Sequence, residues 1–369
     1  MQDTIRIAVV GYGGMGKWHT DLIQKIPETI LAGIYDIDPQ QIEHAKERGI
    51  HTYTSFEDVL ADIQVDVITL AVPNDLHHPL AIQAMRAGKN VVSEKPVSLN
   101  SRELKEMLDT AREMQVLFTV HQNRRWDEDY LIVKKMYDEK TLGNTFTIES
   151  RVHGSRGIPG DWRNQKEHGG GMILDWGVHL FDQILMMTGT RKLLTVCAKL
   201  FNVTNEAVDD GFRVVMEFEG GLEALVEVGT SNFIMMPRWY VLGENGSALI
   251  ENWNLDGEIV MVSDWEKRDA VPVVTAAGLT KTMAPRTDET IEKFPLPRVQ
   301  TDIQDYYKNV RDVLYKGAQP IVKGGELLKN MHLIETIFDA AEKNRILTFD
   351  FSEEMENTYN APYTIHQKH

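Results

Sequence analysis

The sequence predicts an α/β protein in two parts, a doubly wound parallel sheet followed by an α+β domain built on an antiparallel sheet. Three observations carry that reading. Residues 5–120 alternate short β-rich apolar runs with amphipathic stretches of helical length, as consecutive βαβ units require. A G-x-G-x-x-G run follows the first apolar segment directly. Beyond Gln122 the pattern gives way to alternating strands separated by turn signals. A chain of 369 residues has room for two domains, and the change of pattern divides it into 1–123 and 124–369.

In chain order, strands are expected at Ile5–Val10, Ile30–Tyr35, Val65–Val72, Asn90–Ser93 and Val116–Val120, with helices such as Asp75–Ala87 and Ser101–Met114 between them. A helix over Asp127–Glu139 leads into a strand over Asn144–His153, then a Gly-rich loop and a helical run from Gly171 to Met187. From Lys192 to Val262 strands alternate around the turns Glu219-Gly220-Gly221 and Glu244-Asn245-Gly246, which is the antiparallel signature. Residues 269–300 hold Pro272, Pro285, Pro295 and Pro297 with little periodicity, so they read as a long surface loop or arm. Helices over Thr301–Tyr315 and Gly324–Asn344 follow, and the polar tail from Ser352 reads as partly disordered or docked on a neighbouring subunit.

Composition narrows the function. The formal net charge of −16 repels phosphate backbones and anionic lipid over most of the surface, so neither nucleic acid nor membrane is an expected partner. Any anionic ligand then needs a local device such as a helix N-terminus. The single cysteine, Cys197, forms no intramolecular disulfide and supports no thiolate cluster, which fits a reducing, cytoplasmic setting. The N-terminus enters a strand at once rather than a signal peptide, and no apolar run approaches the ~20 residues that span a bilayer.

The glycine run is Gly11-Tyr12-Gly13-Gly14-Met15-Gly16. Gly11 permits the tight turn, Gly13 lets a pyrophosphate approach the backbone, and Gly16 lets the following helix lie close on the strand. Asp36 ends the second strand twenty residues after Gly16, where a carboxylate accepts hydrogen bonds from ribose hydroxyls. That carboxylate repels a 2′-phosphate, and no arginine or lysine lies within 35–41 to offset it, so NAD is the expected cofactor.

Ala87-Gly88-Lys89-Asn90-Val91-Val92-Ser93-Glu94-Lys95-Pro96 sets Lys95 at the C-terminal end of a parallel strand, the edge where doubly wound sheets bind ligands. A lysine beside a nicotinamide hydrogen-bonds a substrate hydroxyl and helps to move its proton. With Gly11–Gly16, with Pro73, Asn74 and His77, and with Asp175-Trp176-Gly177-Val178-His179, this stretch resembles the Gfo/Idh/MocA oxidoreductases over nearly the whole chain. The resemblance implies an N-terminal NAD(P)-binding Rossmann domain, a C-terminal domain with a large open-faced sheet, and a catalytic role for Lys95. It adds Pro73, Asn74, His77 and Glu94 to the cofactor-binding candidates, and Asp175 and His179 to the catalytic ones. His121-Gln122-Asn123-Arg124-Arg125-Trp126-Asp127 is similar to the scyllo-inositol dehydrogenase branch.

Asp175 and His179 are four apart on an expected helix, so the carboxylate is positioned to orient the imidazole and raise its basicity. Around Lys95, Asp175 and His179, the residues Arg124, His153, Trp162 and Arg163 are the expected substrate contacts, with Trp162 offering a flat face and Arg163 a donor to a polyol ring. A zinc site on His168, Asp175 and His179 is the metal alternative, but the spacing is not H-E-x-x-H and no cysteine is nearby, so no metal is expected. The resulting expectation is an NAD-dependent dehydrogenase acting on a secondary ring hydroxyl of a sugar, sugar derivative or inositol. A redox-neutral NAD-dependent glycosidase and a non-catalytic nucleotide-sensing regulator are the alternatives. A homodimer or homotetramer is expected from the open sheet face.

Overall fold

A computed structural model describes residues 3–267 and 271–366. The first five strands, β1 (Ile5–Val10), β2 (Thr29–Tyr35), β3 (Val67–Leu70), β4 (Asn90–Ser93) and β5 (Phe118–Val120), form a parallel sheet in the order β2-β1-β3-β4-β5. The order reverses between β1 and β3, and ligand crevices open at the carboxyl ends of strands at such a point. Both faces are covered by helices, so β1 and β3 are buried along almost their whole length and carry nearly continuous apolar sequence.

The turn after β1 is built by close backbone approach. Gly11 has φ +88°, and a Cβ there would lie 2.3 Å from the Ala71 carbonyl oxygen. At Gly16 a Cβ would lie 1.9 Å from the Gly11 carbonyl oxygen, so only glycine lets the helix Gly14–Ile23 start directly against the strand end.

The second sheet has nine strands in the order β15-β12-β11-β10-β6-β9-β8-β7-β16. Their ranges are β6 Thr145–His153, β7 Leu193–Phe201, β8 Gly211–Phe218, β9 Leu222–Gly229, β10 Trp239–Gly243, β11 Gly246–Ile250, β12 Gly257–Val262, β15 Ile291–Pro295 and β16 Leu347–Thr348. Every pairing is antiparallel except β6 with β9. The helices Val178–Thr188 and Gly324–Lys343 cover one face. None of the described helices is long and apolar enough to cross a membrane.

Two expectations need correction. The proline-rich arm contains a small hairpin, β13 (Val273–Thr275) with β14 (Gly278–Thr280), and then β15, which closes the sheet edge by pairing Phe294 with Ile259. Proline is tolerated on an edge strand, so Pro295 sits at the strand end without breaking a ladder. Positions 269 and 270 of that arm lie outside the described residues. The tail is helical over Glu353–Asn360 and docks on its own chain. Tyr359 hydroxyl donates to Asp109 (2.6 Å), and Arg112 lies 5.0 Å and 5.2 Å from the Tyr359 and Tyr363 ring centres. Residues 367–369 lie outside the described residues.

Gly16→Ala is expected to destabilise the chain by at least ~2 kcal/mol in urea unfolding, since the methyl meets backbone rather than a movable side chain. Gly13→Ala, with nothing within 4 Å of its added Cβ, is expected to stay within ~0.5 kcal/mol of the parent. Equal midpoints for the two variants would show that the turn relaxes.

Candidate functional site

A cleft of about 880 Å³ opens at the carboxyl ends of β1 and β3. Gly11, Gly13, Gly14, Met15, Asp36, Pro73, Asn74, Glu94, Lys95, Trp162, Arg163 and Asp175 line it, so most of the sequence candidates converge. Gly13 and Gly14 leave open space where side chains would project, at the start of the helix Gly14–Ile23. That cradle, with its free backbone N–H groups and positive dipole end, fits a pyrophosphate. Asp36 accepts from the Tyr12 N–H (2.5 Å) and the Asp38 N–H (2.8 Å), which aims the carboxylate at the cleft rim. Ile37, Phe56, Glu57, Leu80 and Gln83 also line the cleft and carried no motif by which the sequence marked them.

Three cofactor candidates do not line the cleft. The Tyr12 side chain is buried away from the cleft, where its hydroxyl accepts from Arg48 (2.8 Å). Gly16 contributes helix–strand packing rather than cleft surface. His77 is buried between the Pro96 carbonyl (Nδ1, 2.7 Å) and the Val72 carbonyl (Nε2, 3.0 Å), and so ties the loop after β3 to the loop after β4.

Glu94 and Lys95 follow β4. One Glu94 oxygen receives both His19 Nε2 and His121 Nδ1 at 2.9 Å, and the other accepts the Lys95 N–H at 3.1 Å. His19 Nδ1 continues to the Tyr307 hydroxyl (2.9 Å), which meets Thr69 Oγ1 (3.0 Å). Burial pushes the Glu94 carboxyl up, but the hydrogen bonds from the two imidazoles outweigh it and hold it well below the usual range. The three ligand-type atoms of His19, Glu94 and His121 lie within 4.8 Å of one another, and both imidazoles reach the carboxylate at hydrogen-bond distance. Sequence reasoning missed His19, His121 and Tyr307, because no local spacing links them to Glu94.

Lys95 crosses to the second domain. Its Nζ donates to the Asp175 carbonyl (3.0 Å) and to Asp175 Oδ1 (3.1 Å), leaving one ammonium N–H for a ligand. Arg163 Nε lies 3.5 Å from Asp175 Oδ2. Burial raises the Asp175 carboxyl, and the Lys95 and Arg163 charges outweigh that and lower it.

The expected Asp175–His179 pair is therefore not formed. A π-helical turn, Ile173–Gly177, precedes the α-helix that carries His179, and Asp175 faces Lys95 instead. His179 Nδ1 is buried without a hydrogen-bond partner among the described residues. Burial, followed by the nearby Lys95 and Arg124 charges, pushes the imidazole well below its ordinary value, so it is neutral at physiological pH. This reverses the expectation of a raised histidine.

A second pocket of about 360 Å³ adjoins, lined by Arg124, His153, Met172, Trp176, Thr230 and Trp253 among others. Arg124 lies 4.1 Å from the Trp176 ring centre, and one of its nitrogens donates to Asp127 (2.9 Å). His153 is a wall rather than a donor to substrate: its Nε2 meets Glu227 Oε1 (3.0 Å), and its Nδ1 accepts the Met236 N–H (3.3 Å). Trp162 and Arg163 stack on each other at 4.5 Å in the larger cleft. His168 pairs with Asp75 (3.1 Å) while Asp175 pairs with Lys95, so the zinc alternative is not assembled.

Family profiles match both halves of the chain: an oxidoreductase family's NAD-binding Rossmann fold over residues 5–122, and the GFO/IDH/MocA C-terminal domain over residues 130–249. The chain belongs to the Gfo/Idh/MocA oxidoreductase family. Among solved structures of this fold, an NAD-binding protein from Listeria innocua is 46% identical, with TM-score 0.90 and coverage of 94% of this chain and 99% of that one. The scyllo-inositol 2-dehydrogenase (NADP+) of Bacillus subtilis is 25% identical over 358 residues, 94% of this chain and 97% of its own. The myo-inositol 2-dehydrogenase of Thermotoga maritima is 27% identical over 187 residues, covering 50% and 55% of the two chains.

The buried histidines make this Gfo/Idh/MocA protein sensitive to acid. Burial lowers His19, His77 and His179, so each takes up a proton near pH 6.5 when unfolded but only at lower pH when folded. Stability is thus fully present above pH 6.5 and is lost as pH falls below it, with a slope approaching ~1.4 kcal/mol per pH unit for each such group. Urea midpoints measured from pH 8 to pH 5 are expected to be level above pH 7 and to fall steeply below pH 6.5; a flat profile would count against neutral burial.

Proposed function

We propose that this protein is an NAD-dependent dehydrogenase that oxidises a secondary ring hydroxyl of a sugar, sugar derivative or inositol to a ketone. The observation that carries the reading is Lys95 tied to Asp175 in a cleft suited to a dinucleotide, with His179 buried close by against Trp176 on the helix that follows. Relatives named as inositol dehydrogenases support the same chemistry.

A bound nicotinamide dinucleotide supplies the hydride acceptor. Lys95, held by Asp175, directs its remaining N–H at the substrate oxygen and stabilises negative charge as the proton departs. His179 is neutral and accepts that proton. Asp175 acts on Lys95: it fixes the ammonium in place. Across the uncovered sheet face, half-buried Val215, Leu225, Tyr240 and Leu249 favour pairing with a second copy of the chain, as a homodimer or homotetramer.

Incubating the enzyme with NAD and a panel of inositols, free sugars and glycosides tests the reading by absorbance of the reduced cofactor. Net NADH is expected with at least one polyol. None, with NAD bound, favours the regulator.

NAD is expected over NADP by about tenfold or more in kcat/KM, equivalent to ~1.4 kcal/mol. Asp36 lines the cleft as a carboxylate, and the nearby Arg48 is engaged by Tyr12 and Asp21. The NADP+ dependence in the name of the Bacillus subtilis relative is the contrary precedent, and equal kcat/KM values would overturn the assignment.

Proton transfer is tested by pH. A base must be unprotonated, so kcat/KM for oxidation rises with pH through the His179 ionisation; because that group is lowered, the limb is expected below pH 6.5, with a plateau above. His179→Ala should abolish the limb, and Lys95→Met should cut kcat by ~100-fold or more while NAD still binds. An unchanged limb in His179→Ala would move the proton acceptor elsewhere.

A further inference from the structure

Trp253 is half exposed, at 52%, yet it is held in place. It sits in the turn between β11 and β12, where the Asn252 side-chain oxygen accepts the Asn254 N–H (2.9 Å), Asn252 Nδ2 donates to Asp256 (2.9 Å), and the Glu251 N–H donates to the Asp256 carbonyl (2.7 Å). The Arg238 guanidinium lies 4.6 Å from its ring centre, and Arg238 is itself buried and paired with Asp129 at 3.0 Å. The ring is therefore a preformed surface rather than a loose side chain, and an exposed indole fixed in this way has apolar area to offer a ligand.

Its neighbours connect it to the reacting groups. Trp253 and Trp176 have ring centres 6.0 Å apart, tilted by 46°, and the Trp176 ring lies 6.4 Å from that of His179. Trp176 also follows Asp175 directly in sequence. Arg124 lies beside both indoles, 4.1 Å from the Trp176 centre and 5.7 Å from the Trp253 centre. Asp127 balances its charge through one nitrogen, and the other guanidinium nitrogens have no protein acceptor among the described residues. The second pocket, about 360 Å³, is open along Trp176, Trp253 and Arg124.

We propose that Trp253, Trp176 and Arg124 form a second sugar subsite, so that the substrate is a glycoside or disaccharide rather than a single free ring. The inference rests on the dehydrogenase reading above for the ring that reacts, and it names what lies beyond that ring. The chemistry is that of a hydroxylated, uncharged ring: C–H faces pack on indole, and a guanidinium already neutralised by a carboxylate donates to hydroxyl oxygens. A charged second group is not favoured, because Asp127 offsets Arg124. Trp253 packs on the Trp176 ring, which in turn packs near His179, so a second ring or an aglycone joined to a pyranose held at Lys95 and His179 has an exposed indole to meet there.

Two measurements on the full-length protein test this. In the presence of NAD, kcat/KM is compared for glucose and galactose against cellobiose, maltose, lactose and the phenyl glucosides. At least one glycoside is expected to exceed its parent monosaccharide by about tenfold or more, mainly through KM, an amount within reach of one aromatic stacking contact. Trp253→Ala should bring that ratio to within about threefold of one, and Trp253→Phe should retain much of it. No preference in the parent protein, or the same ratio in Trp253→Ala, overturns the proposal. So does a changed molar mass of Trp253→Ala in light scattering with the ratio intact, which would assign the indole to a contact between copies. Calorimetric titration of the NAD-loaded protein with the same glycosides reads binding without turnover. Binding that depends on Trp253 with no NADH formed would sink the dehydrogenase reading alone, whereas binding of none of them would sink the subsite.

Discussion

Burying a carboxylate costs several kcal/mol unless donors replace its water, and the arrangement around Glu94 meets that requirement from four directions in the fold. His19 comes from the helix after β1, His121 from the end of β5, the Lys95 N–H from the strand end itself, and Tyr307 braces His19 from a helix more than two hundred residues later. The lysine that faces the second domain is thereby mounted on a rigid, charged anchor. Loss of any donor leaves a buried charge short of partners, which is why these aromatic and imidazole side chains are packed edge to face with little free space. The dinucleotide cleft, the position of Lys95 and the approach of the second domain all refer back to that anchor.

The two sheets meet through a small number of polar clamps. Lys95 reaches Asp175, Asn74 donates to the Gly169 carbonyl (2.9 Å), His168 meets Asp75, and Arg125 grips Asp182 through two nitrogens at 2.7 Å. Each clamp joins a loop at the carboxyl edge of the parallel sheet to the π-turn, its helix or the glycine-rich loop before it. The site is therefore assembled at a junction, with the glycine cradle and Lys95 on one side and Asp175 and His179 on the other. The Arg125 cluster is buried and close to the site, yet it has the character of a hinge pin: its guanidinium is satisfied by Asp182 and Glu326 and has no free face toward substrate.

Much of this was legible from residues that act over short distances. The glycine spacing, Asp36 at the end of β2 and Lys95 at the end of β4 follow from turn geometry and strand period, and Gly11, Gly13, Gly14, Asp36 and Lys95 line the cleft. Interactions between segments far apart in the chain were not legible. The partner of Asp175 depends on an inserted π-turn and on a lysine eighty residues away, so the helical i,i+4 rule pointed to His179 and was misleading. His153 and His77 look like ligand-binding imidazoles in sequence, but backbone and carboxylate partners from other strands and loops occupy them. β15 was hidden because a five-residue edge strand between prolines carries too little alternation to register.

The route of the chain back to the first domain bears on the order in which the molecule is completed. After β15, the helix Gln304–Lys316 places Tyr307 beside Thr69 and His19, Tyr315 donates to the Thr4 carbonyl (3.1 Å), Glu335 holds Ser101, and His366 donates its N–H to the Gln115 carbonyl (2.9 Å). During synthesis the parallel sheet leaves the ribosome first, but the side chains that seal it are translated last. Until then Glu94 and its histidines lie under an incomplete roof, because Tyr307 comes more than two hundred residues after Glu94. A chain interrupted late in translation would thus carry its damage in the earliest part it made.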